Sequence, residues 1–200
     1  RRRWIKSYEE ITGEIEKKFT YPVFIKPVNM GSSLGISKAH NRQELISGID
    51  MAANYDWKIL VEEFVDCREI ECAVLGNEAP EASVLGEILP SEEFYDYNAK
   101  YFDGGKSRLL IPAPIDEKVS EQIRNWAALA FESIGGSGLA RVDFFLEKST
   151  GQVYINEINT LPGFTNISMY PQLWEHSGIP YSNLIDRLIE LATEKFKECH

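Results

Sequence analysis

The residues best suited to chemistry fall in two short runs, Ala140-Arg141-Val142-Asp143-Phe144 and Ile155-Asn156-Glu157-Ile158-Asn159. Alternate residues of a strand share a face. As strands, the runs put Arg141 beside Asp143 and Glu157 beside Asn159. A turn centred near Thr150 then sets Asp143 opposite Glu157 and Arg141 opposite Asn159. Directly opposed side chains lie roughly 5 Å apart at Cβ. Two carboxylates that close repel unless something cationic lies between them. Oxygens from Asp, Glu and Asn suit Mg²⁺, a hard cation that commonly shares its shell with phosphates. Arg141 beside them suits a phosphate or an anionic intermediate. The plainer alternative is a solvated polar face on an antiparallel pair. The neighbours Phe144, Phe145, Ile155 and Ile158 favour strands set in a core.

A second candidate is Lys26, which closes the run YPVFIK and precedes the loop NMGSSLG at 29–35. Backbone N–H groups of a glycine-rich turn can form an anion-binding concavity. Lys26 would add a point charge for phosphates. Taken alone, an ordinary loop accounts for this stretch as well. Two near-matches fail. Gly105-Lys106-Ser107 resembles the end of a P-loop, but its first glycine would fall on Lys100. The cluster Gly135 to Gly138 misses a dinucleotide fingerprint, because its last glycine would fall on Arg141. His40, His176 and His200 lack metal-ligand spacing and read as surface residues.

These candidates need elements to position them. Ser7 and Glu10 form a capping box before Tyr8, Ile11, Ile15 and Phe19, which predicts a helix of about three turns. Tyr21 to Lys26 reads as a strand. Asn41 and Glu44 cap a second helix carrying Leu45, Ile49 and Ala53. Lys58 to Val65, Glu69 to Leu75 and Ala82 to Ile88 read as strands. Residues 90–114 read as one long connection, and Glu93 to Arg108 within it as a lid. Asp116 caps a helix through Ile134, with Val119, Ile123, Trp126, Ala127 and Ala130 on its apolar side. Gly138 to Leu146 and Gln152 to Asn159 form the hairpin. Ser182 caps a last helix. The order predicts an α+β fold, a small lobe passing into a larger sheet.

Composition narrows the function classes. The chain has 200 residues, of which 44% are hydrophobic, so it can bury a core. With 31 acidic and 21 basic residues the formal charge is −10, which disfavours a nucleic-acid surface. No run approaches the length of a membrane span. Cys67, Cys72 and Cys199 are odd in number and lack CxxC spacing, which points to a reducing, cytoplasmic setting and buried apolar roles. Arg1 to Arg3 reads as an exposed terminal strand. A chain opening on Arg1-Arg2-Arg3-Trp4, without Met, is expected to be a fragment.

Lys26 in YPVFIKP, the loop NMGSSLGISKA, the pair in VEEF, the loop EFYDYNAKY, the hairpin residues ARVDFF and NEINTLPGFT, and the following SMYP together resemble the D-alanine–D-alanine ligase family of the ATP-grasp superfamily. The matches are ordered and span nearly the whole chain. The resemblance implies an ATP-grasp fold with a small α+β lid lobe and a larger antiparallel-sheet lobe with helices. Residues 1–65 would form the small lobe, incomplete at its N-terminus, and 66–200 the C-terminal lobe with the metal and acceptor sites. The implied activity is ATP-dependent ligation of two D-alanines through an acyl-phosphate, for peptidoglycan precursors. The implied whole protein is a cytoplasmic homodimer using D-alanine, ATP and two Mg²⁺ ions, or Mn²⁺ in their place.

The same resemblance assigns roles. Lys26 contacts ATP phosphates, and Ser32 and Ser33 lie in the loop over them, Ser32 also near the substrate. The backbone from Glu62 through Glu63 to Val65 reads the adenine edge, and Glu69 holds the ribose. Lys100 and Tyr101 lie on the closing loop. Arg141 stabilises the tetrahedral intermediate and the transferred phosphoryl group. Asp143, Glu157 and Asn159 hold the metals. The N–H of Gly163 contributes to the oxyanion site, and Ser168 binds the carboxylate of the second D-amino acid. Met30 stands where some members have an acidic residue. Family members carry a further N-terminal domain for the first D-alanine, and another strand and helix with an ATP-contacting lysine; nothing here corresponds to them. The competing readings are a D-alanine–D-serine or D-alanine–D-lactate ligase, a nucleotide-binding fragment without chemistry, and a two-metal hydrolase. Lys100-Tyr101 favours an amine acceptor. Retention of Arg141, Asp143 and Glu157 argues against the inert module, and Lys26 with its loop against the hydrolase.

Overall fold

The computed structural model describes residues 2–31, 33–89, 108–165 and 167–199. They divide into two compact units, 2–65 and 66–89 with 108–199. Among the described residues no helix is long and apolar enough to cross a membrane.

In the first unit, helix α1 (Arg2–Lys18) starts earlier than the capping signal suggests. Ser7 nonetheless breaks it, with φ −147 and ψ 42. Arg2 and Arg3 are thus helical rather than part of a terminal strand, and Arg3 pairs with Glu14 at 2.8 Å. Strand β1 (Val23–Pro27) lies between β2 (Ser37–Ala39) and β3 (Ile59–Glu63), antiparallel to both. Helix α2 (Arg42–Ala52) begins with the expected box. The Glu44 N–H donates to Asn41 Oδ1 at 3.0 Å, and the His40 N–H donates back to the Glu44 carboxylate at 2.8 Å. One face of this sheet buries Val23, Ile25 and Ala39 against Leu45, Ile49, Ala52 and Trp4.

In the second unit, five antiparallel strands run in the order β6 (Arg108–Leu110), β5 (Glu81–Leu89), β4 (Cys67–Gly76), β7 (Gly138–Glu147), β8 (Val153–Asn159). Helix α3 (Glu117–Ser133) covers one face, placing Ile123, Ala127 and Phe131 on Ile70, Cys72, Val74, Val142 and Phe144. Asp116 caps it through the Lys118 N–H at 2.9 Å. Burial pushes the Cys72 thiol up to about 12, which keeps it inert inside this core. Helix α4 (Met169–His176) packs on the other face. It comes close at Gly86, where a Cβ would stand 2.7 Å from Met169 Sδ. The Tyr170 hydroxyl donates to the Val74 carbonyl at 3.0 Å. Helix α5 (Tyr181–Cys199) follows, and its Leu191 carbonyl accepts from Asn77 Nδ2 at 3.0 Å.

Several elements differ from expectation. The stretch read as one connection over 90–114 contains β6, which pairs with β5. Trp126 is 37% exposed rather than apolar-face core, since Ile123 and Ala127 already fill the stripe. Strands β2 and helix α4 are too short to announce themselves by periodicity. Phe131 is fully buried at the centre of the larger core. Phe131→Ala is therefore expected to cost about 3–5 kcal/mol, measured as a lowered urea midpoint with an unchanged slope.

Candidate functional site

The hairpin builds the site. In β7 and β8, Arg141 pairs with Asn159 and Asp143 with Glu157, as the sequence predicts. The route is not a simple turn. Leu146 pairs with Val153 and Phe144 with Ile155, and the register then shifts by one residue between Asp143 and Phe144. Without that bulge at Asn156, Asp143 would oppose Asn156 and Glu157 would leave the face. Because β8 is the outermost strand, Ile155 is 49% exposed and not set in the core, unlike Phe144.

Strand β4 joins the same face. Glu71 pairs with Asp143, Ala73 with Arg141, and Glu69 with Phe145. The Arg141 guanidinium gathers the carboxylates. Its Nε and Nη2 donate to Asp143 Oδ1 and Oδ2, both at 2.7 Å. Its Nε also lies 3.0 Å from Glu71 Oε2. Asn159 Nδ2 donates to Asp143 at 3.0 Å and to Glu157 at 3.3 Å. Burial opposes the charge on Arg141, but the hydrogen bond to Asp143 and the charges of Glu71, Asp143 and Glu157 together push its pKa up. One guanidinium thus faces three carboxylates, two of which, Glu71 and Asp143, are buried.

Such a surplus of negative charge fits a divalent cation. The donors that would hold it are Asp143, Glu157 and, with its amide turned, Asn159. The set is two carboxylates and an amide; among the described residues no group of three or more His, Cys, Asp or Glu is arranged for a metal.

On the α3 side of the sheet a second ion pair is structural. Arg68 bonds both oxygens of buried Glu87 at 2.7 Å and the Pro114 carbonyl at 3.0 Å. It anchors β4 next to Glu69. Between β8 and α4, the described residues 163, 165 and 168 lie close together. The Thr165 N–H donates to Ser168 Oγ at 3.0 Å, and a Cβ on Gly163 would sit 3.1 Å from that oxygen. Phe164 packs between Tyr170 and Tyr181, with centroids 5.7 and 5.5 Å away. Ser168 precedes α4 without capping it by its side chain, so its hydroxyl stays with the loop.

In the first unit, the face of the small sheet opposite its core carries the other candidates. Lys26 Nζ lies 2.7 Å from Glu62 Oε2. Phe24 packs near Phe64, and Lys38 Nζ stands 4.2 Å over the Phe64 ring. Glu63 is exposed at the end of β3, in register with Val23, and Val65 is half-buried. The glycine-serine loop is a succession of turns, Leu34 N–H to Gly31 and Ile36 N–H to Ser33. Ser33 adopts a left-handed φ of 59. Gly35, at φ 77, packs so close to the Tyr55 ring that a Cβ would approach to 2.6 Å. Ser32, Lys100 and Tyr101 lie outside the described residues, as does all of the lid read at Glu93 to Arg108 except Arg108, which begins β6.

Sequence reasoning missed Glu71 and Lys38. The period of two running on from Glu69 was the signal for Glu71; Lys38 sits in the short β2 that had gone unread.

The chain matches the family described as "D-ala D-ala ligase C-terminus" over residues 1–190. It belongs to the D-alanine–D-alanine ligase family. It is 58% identical over 190 residues to a D-alanine–D-alanine ligase of Acetivibrio thermocellus, covering 95% of this chain and 50% of the relative. Against that of Heliobacterium modesticaldum the identity is 55% over 198 residues, 99% of this chain and 54% of the relative. The chain thus spans about half the length of the curated relatives it matches. Among solved structures it is similar to the D-alanine-D-alanine ligase of Coxiella burnetii, with TM-score 0.82 and 39% identity over 95% of this chain and 49% of that one. A D-Ala:D-Ser ligase of Enterococcus faecalis also gives 0.82, with 40% identity over 92% and 53%. The fold is α+β, of the ATP-grasp type these neighbours share.

One residue fastens the start of the glycine-serine loop. Asp56 Oδ2 accepts from the N–H and Nδ2 of Asn29, both at 2.8 Å, and Oδ1 from the Lys58 N–H at 3.1 Å. The bond from Lys58, with those from Asn29, holds its carboxyl below the usual range against the pull of burial. A lowered carboxyl pKa adds stability above the unfolded value of about 3.9, lost as pH falls through the folded one. Asp56→Asn should therefore lower the melting temperature at neutral pH, and the gap to wild type should close in melts taken below about pH 4.

Proposed function

We propose that the protein of which this chain is part joins two D-alanines into D-alanyl-D-alanine, with ATP as the energy source. The observation that carries the reading is the face shared by Arg141, Asp143, Glu157 and Asn159, in a chain 55–58% identical to several relatives of that name. The name shared by the curated relatives at 55–58% identity favours D-alanine as the second substrate.

A carboxylate attacking a γ-phosphate needs alignment and charge neutralisation more than proton transfer. Arg141 supplies a permanent, fork-shaped cation for the transferred phosphoryl group and for the tetrahedral intermediate. Lys26 and the loop with Ser32 and Ser33 take the phosphates. Backbone groups from Glu62 to Val65 take adenine, and Glu69 the ribose. The metals, held by Asp143, Glu157 and Asn159, would neutralise phosphate charge. Gly163 N–H and Ser168 receive the oxyanion and the acceptor carboxylate; the Thr165 bond to Ser168 orients that hydroxyl. Lys100 and Tyr101 complete the closing loop, which keeps water from the acyl-phosphate. The division at 65 and 66 then separates a small ATP-grasp lobe from a C-terminal lobe. We place the enzyme in the cytoplasm, where its product feeds peptidoglycan synthesis, and as a homodimer when whole.

D-Alanine-dependent phosphate release by the whole gene product is the direct test; no release with D-alanine, ATP and Mg²⁺ would overturn the reading. Glu157→Gln is expected to abolish ligation while leaving the melting curve near wild type, since an uncharged amide is a poorer metal ligand. Arg141→Met should lower kcat by about 10²–10³-fold. The 200-residue chain by itself should bind Mg·ATP weakly in calorimetry and form no dipeptide. Orienting both reactants is worth about 7–11 kcal/mol of the barrier, and its relatives are twice as long.

A further inference from the structure

The mechanism leaves one buried carboxylate of the site face unused. Glu71 is 5% exposed and pairs in register with Asp143, one strand inward. A carboxylate is costly to bury without a charged partner. Its partner is Arg141 Nε, 3.0 Å away. The residue opposite Arg141 on β4 is Ala73, whose small side chain leaves room for the guanidinium to lie along the face towards Glu71.

Arg141 meanwhile spends its two best-placed donors on the two oxygens of Asp143. Those are the oxygens that a metal ion would need. A cation on Asp143 would compete for the same lone pairs and repel the guanidinium. An arginine held only by Asp143 would come loose when the site is loaded, at the moment its alignment matters. Glu71 supplies a hold outside the donor set: it sits on β4, away from β8, with its carboxylate beside Arg141.

We propose that Glu71 is a positioning residue that retains Arg141 over the site when metal draws Asp143 away. This rests on the ligase reading, because that reading assigns Asp143 to the metal. The ion pairs of Arg141 then form a relay: Asp143 and Glu71 share the guanidinium without metal, and Glu71 holds it with metal.

The test follows solvent exchange of the Arg141 Nε–H by nitrogen-15 NMR in the full chain. Without metal, Asp143→Asn imitates the loss of the first hold; exchange should stay within about threefold of wild type, because Glu71 remains. Adding Glu71→Gln to it should speed exchange by a further factor of about ten or more. With Mg²⁺ and a nonhydrolysable ATP analogue, wild type should keep its slow exchange and Glu71→Gln alone should lose it. The proposal is overturned if Asp143→Asn alone speeds exchange by about tenfold or more over wild type; that arm leaves Glu71 untouched, so it stands even where Glu71→Gln misfolds. It is likewise overturned if metal binds and Glu71→Gln leaves exchange slow. Failure of Mg²⁺ and the analogue to shift the Asp143 and Glu157 resonances of wild type would overturn the metal assignment, and this proposal with it.

Discussion

The site depends on a single extra residue in β8. A strand presents its side chains alternately, so a register error of one moves every functional group to the wrong side. From the turn end, the pairs Leu146 with Val153 and Phe144 with Ile155 would deliver Asn156 to Asp143. The bulge delivers Glu157 instead, and Asn159 to Arg141. It does so without disturbing Val142, Ala140 and Phe144, which face α3 in the core. Packing on one side and charge convergence on the other are thereby satisfied together.

The packed side also explains why the charged side can exist. Three carboxylates around one guanidinium repel one another. What keeps them near each other is the covalent and hydrogen-bonded frame of β4, β7 and β8, held by Phe131 and its neighbours under the sheet. On the charged side, α4 approaches the sheet at β5 and β4, where Gly86 gives it room and Tyr170 bonds Val74. The larger core lies under one face; on the other, α4 buries Tyr170, Leu173 and Trp174, and the charges converge beside it.

Much of this was legible in the residues. The capping signals of Asn41 and Asp116 placed two helices, and the opposition of Asp143 to Glu157 followed from strand alternation and a turn near Thr150. That last inference reached the right pairs by the wrong route. The apparent symmetry about Thr150 is the sum of a turn centred half a residue earlier and a bulge, and no local pattern distinguishes the two. Ser7 reads as a helix start from its capping-box spacing to Glu10; its backbone is indeed non-helical, but helix continues on both sides of it. Glu71 escaped notice because its neighbour in space, Arg141, lies on a strand 70 positions on and only the β4–β7 register joins them. Trp126 looked like core by spacing; whether a large side chain on a helix flank is covered depends on what the sheet offers beneath it.

The position of β8 has a consequence for solubility. It is the last strand of its sheet, and Tyr154 and Ile155 are exposed along it. An edge with β-prone side chains is a template on which another chain can add and start an aggregate. Glu157 lies two residues beyond Ile155 on this strand and brings a charge that a second copy, with its own Glu157, would have to bring close to it. The carboxylate suited to ligating a metal thus also discourages the sheet from growing beyond its own molecule.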